Sequence, residues 1–121
     1  MATSIIPAKV YDIVLPWGVY NTKETFNFDK DISNYTTLLI RMGADTNQAA
    51  GGGAQYMAVP AFLYKDNPGN QVGCNYYLNG KFYSILVTFP TNTSMKIENI
   101  RNITDGNTTM ASGIRTIYGI K

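Results

Sequence analysis

The stretch CNYYLNGKFYSILVTF, Cys74 to Phe89, constrains the fold of this chain more than any other. Asn79-Gly80 stands between two strand-like runs, and Asn-Gly is the pair preferred in a type I′ hairpin turn, whose two central residues both take positive φ. The second run alternates strictly. Phe82, Ser84, Leu86 and Thr88 face one way; Tyr83, Ile85, Val87 and Phe89 face the other and read as core.

The same period of two recurs along the chain, and a period of 3.6 does not. KVYDIVL, Lys9 to Leu15, puts Tyr11, Ile13 and Leu15 on one face. TKETFNF, Thr22 to Phe28, is a second short strand carrying Phe26 and Phe28. TTLLIRM, Thr36 to Met42, alternates Leu38, Ile40 and Met42 against Leu39 and Arg41, so both faces are partly apolar and a central strand between two layers is expected. Pro60 breaks the run Gln55 to Tyr64, which suits an edge strand or a bulge better than a central strand. Thr93 to Arg101 alternates again, Asp105-Gly106 marks a turn, and Ile114 to Ile120 closes the chain with Ile114, Thr116, Tyr118 and Ile120 on a shared face. A closing strand of this kind is expected to pair with an early strand and cover a sheet edge. The one helical turn expected is Asp31 to Tyr35, capped by Asp31 or Ser33.

About eight short strands with turns between them predict an all-β protein, an antiparallel β-sandwich of jelly-roll-like form. With 121 residues and 45% hydrophobic content, a single domain spanning 1–121 with one core is expected, residues 1–8 forming a loosely ordered arm. The one cysteine, Cys74, excludes an internal disulfide and is expected as a buried free thiol. MATSIIPAKV lacks the apolar run of a signal peptide, and no stretch is long enough to insert in a membrane. The Asn-x-Ser/Thr triplets at Asn34, Asn92, Asn102 and Asn107 therefore read as turn and surface residues.

Composition narrows the chemistry. Charged residues are 15%, against roughly 25% in ordinary soluble domains, so the polar surface rests on Asn, Thr, Ser, Gln and Tyr. A net charge of +2 from dispersed cations argues against nucleic acid. The absence of histidine removes the commonest general base and metal ligand. Paired carboxylates are the surviving enzymatic route, but most of the eight sit at turns. Asp29-Lys30-Asp31 is too short to claim calcium, and Gly51-Gly52-Gly53 lacks the Lys-Ser/Thr of a phosphate loop. The segment Ala44 to Gln55 reads instead as a long flexible loop. No metal, no cofactor and no catalysis are expected.

Aromatic residues give the binding candidates. Trp17, in LPWGVYN, and nearby Tyr20 present flat apolar faces with polar tips, which suit sugars or proteins. Tyr76 and Tyr77 are adjacent on a strand and point to opposite faces, so one is exposed. Asp66, Asn67 and Asn70, in the polar loop before that strand, are expected to offer hydroxyl-binding groups beside a stacking Tyr76 ring.

Two segments carry a resemblance. WGVYNTKETFNFDKDISNYTTLLIRM, Trp17 to Met42, resembles the opening of small modules in the tail, baseplate and fibre proteins of bacteriophages and prophages: a Trp, a strand, then a segment matched by Asp31-Ile32-Ser33-Asn34-Tyr35 and Leu38-Leu39-Ile40. The closing strand of those modules is matched by Ile114, Ile117, Tyr118, Gly119, Ile120 and Lys121. The resemblance implies a β-sandwich at the end of a virion protein, often a homotrimer, concerned in many cases with host cell-surface polysaccharide. It supplies no binding residues, because such modules differ most in their loops. The function expected is host attachment by a non-catalytic virion module made in the host cytoplasm, with a capsid or tail decoration protein contacting other virion proteins as the alternative.

Overall fold

The computed structural model describes residues 9–43, 54–67, 69–110 and 112–121. Eight strands run in chain order: β1 (Tyr11–Leu15), β2 (Thr25–Asn27), β3 (Thr37–Gly43), β4 (Ala54–Pro60), β5 (Gln71–Leu78), β6 (Lys81–Thr91), β7 (Ser94–Asn102) and β8 (Gly113–Ile120). They form two four-stranded antiparallel sheets, ordered β1-β8-β3-β4 and β2-β7-β6-β5. The expected all-β sandwich is therefore the fold. The expected arm 1–8 and the glycine-rich segment 44–53 lie outside the described residues.

The hairpin forms as its turn chemistry dictates. Asn79 (φ 51°) and Gly80 (φ 83°) both occupy the left-handed region, and Leu78 pairs with Lys81. Pro60 closes β4, an edge strand, and the chain then makes one helical turn, α1 (Phe62–Lys65), which alternation did not foretell. Asp31 caps the 3₁₀ turn Ile32–Asn34, its carboxylate accepting from the Ser33 N–H at 2.8 Å.

The core lies between the sheets. Leu38, Ile40 and Met42 of β3 with Ile114 and Ile117 of β8 face Cys74 and Leu78 of β5, Ile85, Val87 and Phe89 of β6, and Met95 and Ile97 of β7, all of them buried. Each buried aliphatic or aromatic side chain of this size contributes about 1.5–3 kcal/mol. Phe28 and Asp29 tie the layers together: the Phe28 N–H donates to Thr93 O beside β7, and the next N–H, of Asp29, to Val14 O of β1.

Two β-bulges change the expected faces. In β1, Ile13 pairs with Tyr118 and Leu15 with Ile117, so Val14 is the extra residue and both Val14 and Leu15 are buried, while Tyr11 and Ile13 face outward. In β8, Arg41 pairs with Thr116 and Met42 with Ile114, so Arg115 is extra; Ile114 and Ile117 point inward, Tyr118 and Ile120 outward. A bulge adds one residue and reverses the alternation beyond it, which is why neither strand keeps one face throughout. The apolar second face of β3 also has a different cause from the one expected. No third layer covers it among the described residues; Leu39 and Arg41 lie under the outward side chains of their own sheet. Asn102 departs from the surface reading of its triplet as well: it is buried, donating to Asp105 Oδ2 at 2.9 Å and accepting from the Asp105 N–H.

Candidate functional site

The outward face of the β1-β8-β3-β4 sheet is unusually apolar for a solvent-facing layer. Register places Ile13, Tyr118, Leu39 and Ala58 in one row, and Tyr11, Ile120, Thr37 and Pro60 in the next. A third row carries Thr116, Arg41 and Tyr56. Directly opposite residues in antiparallel strands put their side chains within contact on a single face, so these rows form a continuous surface. Tyr11, Leu39, Tyr56, Tyr118 and Ile120 line an open groove of ≈ 320 Å³ in it. Tyr11 meets Tyr118 edge to face, with centroids 5.7 Å apart. Tyr56 is 52% exposed.

Cations border the groove. The Arg41 guanidinium carbon stands 5.8 Å from the Tyr56 centroid and 4.5 Å from the Trp17 centroid. Arg115 also stacks on Trp17, at 4.6 Å. At the other side the Lys9 ammonium lies 5.2 Å over Tyr11. The ring quadrupoles favour a cation over each face, which holds the long side chains in place. Asp12 sits between Tyr11 and Ile13 on β1 and turns from the groove: it accepts from the Tyr35 hydroxyl at 2.8 Å and lies 3.6 Å from Lys121 Nζ. The Tyr35 hydrogen bond, with Lys121 nearby, holds the Asp12 carboxyl below the usual carboxylate range.

The sequence candidates divide. Trp17 is 48% exposed and belongs to this face. Tyr20 is a fastener beside it. Its backbone pairs with Ile114, its hydroxyl donates to Pro16 O at 2.7 Å, and its ring packs edge-on against Phe26. Burial pushes its phenol pKa up. Gly113 makes this approach possible, since a Cβ there would stand 2.4 Å from Tyr20 O.

Tyr76 requires a correction. It is 2% exposed, its ring stacked on Tyr83 at 5.1 Å, so it offers no face to a ligand; Tyr77 is the outward member of the pair. Burial raises the Tyr76 phenol pKa strongly. Asp66, Asn67 and Asn70 are exposed before the start of β5 at Gln71, which itself lies about 17 Å along the strand from Tyr76 at roughly 3.3 Å per residue. There they do local work: Asp66 caps α1 through its N–H, and Asn70 donates to Leu63 O at 3.1 Å and, through its backbone, to Asn67 O. The expected cluster of these three with Tyr76 does not form.

Tyr11, Tyr56, Tyr118 and Arg41 were the residues missed. Their signal was present in part: alternation over Lys9 to Leu15 paired Tyr11 with Ile13, but the bulge hid which side faced water. Among the described residues no group of three or more Cys, Asp or Glu side chains gathers as a metal site. No family model matches the chain, and neither does any curated protein.

Proposed function

We propose that the chain is a non-catalytic attachment module of a phage virion, holding host cell-surface glycan in the groove of the β1-β8-β3-β4 sheet. The observation that carries this reading is the groove itself: open, ≈ 320 Å³, and walled by three tyrosines on a rigid sheet. Its volume falls at the small end of ligand sites, roughly 300–1,000 Å³. Aromatic faces stack on the C–H faces of sugars, and phenol hydroxyls reach their oxygens. A shallow site of this kind binds weakly per copy, so a homotrimer would supply the avidity attachment needs. The resemblance of residues 17–42 and 114–121 to phage modules supplies the biological setting.

The test is calorimetric or NMR titration of host wall polysaccharide into the protein and into Tyr56→Ala and Tyr118→Ala. Loss of at least roughly tenfold in affinity, with the melting temperature of Tyr56→Ala unchanged, is the expected result. Equal binding by both variants removes the groove from the reading, and no binding by the parent removes the glycan.

A second reading, a decoration protein that contacts other virion proteins, is favoured by one observation on the opposite sheet. Phe82 is 57% exposed and packs against Tyr77 at 5.0 Å, with exposed Ile103 joined to Phe82 through its backbone. Clustered apolar side chains of this kind suit protein contact. Co-sedimentation with virus particles that is lost in Phe82→Ser would establish it.

A further inference from the structure

We propose that the glycan held in the groove is acidic, a polysaccharide bearing uronic-acid carboxylates, and that Arg41 and Lys9 read its charge. The proposal rests on the groove being a glycan site and adds the class of sugar.

The argument is charge complementarity on one face. The outward positions of β1, β8, β3 and β4 described above include Ile13, Thr116, Ala58 and the groove-lining tyrosines, and none is an Asp or Glu. The one carboxylate on β1, Asp12, is committed to Tyr35 and Lys121. Arg41 and Lys9, by contrast, join no ion pair among the described residues. A chain with a net charge of only +2 thus places Arg41 and Lys9, neither in an ion pair among the described residues, beside an aromatic surface. Surface cations are normally dispersed among carboxylates, and segregation of one sign beside a groove raises the local concentration of the opposite sign.

The geometry of Arg41 adds specificity. Its guanidinium stacks on Trp17 and also faces Tyr56, and its Nε is buried without a hydrogen-bond acceptor among the described residues. A stacked guanidinium has lost most of its rotamer freedom before a ligand arrives, and its planar fork matches a planar carboxylate. Lys9, on Tyr11 across the groove, is a more mobile point charge suited to a neighbouring repeat of the same polymer. Single-stranded nucleic acid also combines anions with stackable rings, but it needs a continuous basic track, and this face offers two arginines on Trp17 and one lysine on Tyr11 across the groove.

The experiment compares polygalacturonate with its fully methyl-esterified form, which keeps the sugar ring and removes the charge. The Trp17 emission and calorimetry are the readouts, and an oligonucleotide serves as the competing anion. The expected result is binding of polygalacturonate at least roughly tenfold tighter than of its ester, weakening as salt rises from about 0.05 to about 0.5 M, and lost roughly tenfold in Arg41→Gln. Arg41→Lys should recover part of the loss, and Lys9→Gln, at an exposed position, should weaken binding without altering the melting temperature. Equal binding of acid and ester, untouched by Arg41→Gln and Lys9→Gln, overturns the inference and leaves the glycan reading standing. Binding of neither polymer overturns the inference, with the host wall titration deciding the glycan reading itself, and preference for the oligonucleotide replaces the acidic sugar by nucleic acid.

Discussion

Tyr35 packs its ring against Gly119 so closely that a methyl group at Gly119 would stand 2.5 Å from Tyr35 Cγ. The hydroxyl of the same ring donates to Asp12, and the Tyr35 N–H closes the preceding turn on Ile32 O. The segments around residues 31–40 and 114–121, about 80 positions apart along the chain, therefore meet at a single junction. Their residues build the sandwich. Asp31 caps, Leu38 and Ile40 fill the core, and Gly119 makes room for Tyr35. Leu39, Tyr118 and Ile120 of the same two segments also line the groove, so the strands that build the sandwich build its outward face as well.

Gly119→Ala should destabilise the protein by roughly 2–3 kcal/mol, because the ring must leave its place and both its packing and its hydrogen bond loosen. That corresponds to a fall in melting temperature of roughly 10 °C for a domain of this size. Gly73→Ala is the control: nothing lies within 4 Å of a Cβ there, so its melting temperature should stay within a degree or two, about 0.5 kcal/mol. Equal melting temperatures for the two variants would show that Tyr35 does not depend on Gly119.

The Tyr35 hydroxyl also sets a pH dependence. Its hydrogen bond lowers the Asp12 pKa from 3.8, so in the unfolded chain, where the bond is absent, the carboxyl takes its proton at higher pH than in the fold. A depressed folded pKa gives stability that is complete above the unfolded value and lost as pH falls through the folded one. The advantage of the parent over Tyr35→Phe in urea midpoint should therefore be constant near neutrality and shrink below about pH 4. A gap that stays the same in acid would mean that the hydroxyl stabilises only through packing.

Much of this fold could be read along the chain because alternation and turn chemistry are local. Asn79-Gly80 specified its hairpin, Pro60 its edge strand, and Asp31 its cap. Even the misplacing of Tyr76 was avoidable: a two-residue turn at Asn79-Gly80 pairs Tyr76 with Tyr83, and opposite residues share a face, so a core Tyr83 demands a core Tyr76. The bulges at Val14 and Arg115 had no such local mark. They arise where β8 must match β1 and β3 at once and cover Tyr20 and Tyr35, a requirement set by residues roughly 70 to 110 positions away. The groove depends on both bulges, which is why its tyrosines were not found from alternation alone.

Cys74 should be inert in the native protein. Burial pushes its thiol up to about 12, so almost no thiolate exists at neutral pH. A thiol reagent at about pH 8 should label it only at the rate of unfolding, rising steeply in urea. A folded pKa raised above 9.0 also means stability that is full below that value and falls as pH climbs toward the folded one. In Cys74→Ala the alkaline decline should begin at higher pH, whatever the cavity costs at neutrality. Fast native labelling would show that the thiol is reached without unfolding.

Gln55 should guard the free edge of β5. From the neighbouring sheet its amide accepts from the Tyr77 N–H at 2.9 Å and donates to the Tyr77 carbonyl, which are the two contacts a further strand would make. An edge strand with open peptide groups is a template for pairing with another chain. Gln55→Ala should cost about 1–2 kcal/mol, speed hydrogen exchange at the Tyr77 amide, and let the protein self-associate as its concentration rises. Gln55→Glu separates the two contacts. Its carboxylate still accepts from the N–H, so that amide stays protected, but it meets the carbonyl with like partial charge and should be at least as destabilised as the alanine variant. If the Tyr77 amide of the parent exchanges as fast as that of Gln55→Ala, the side chain is not closing the edge, and association must be controlled elsewhere on the sandwich.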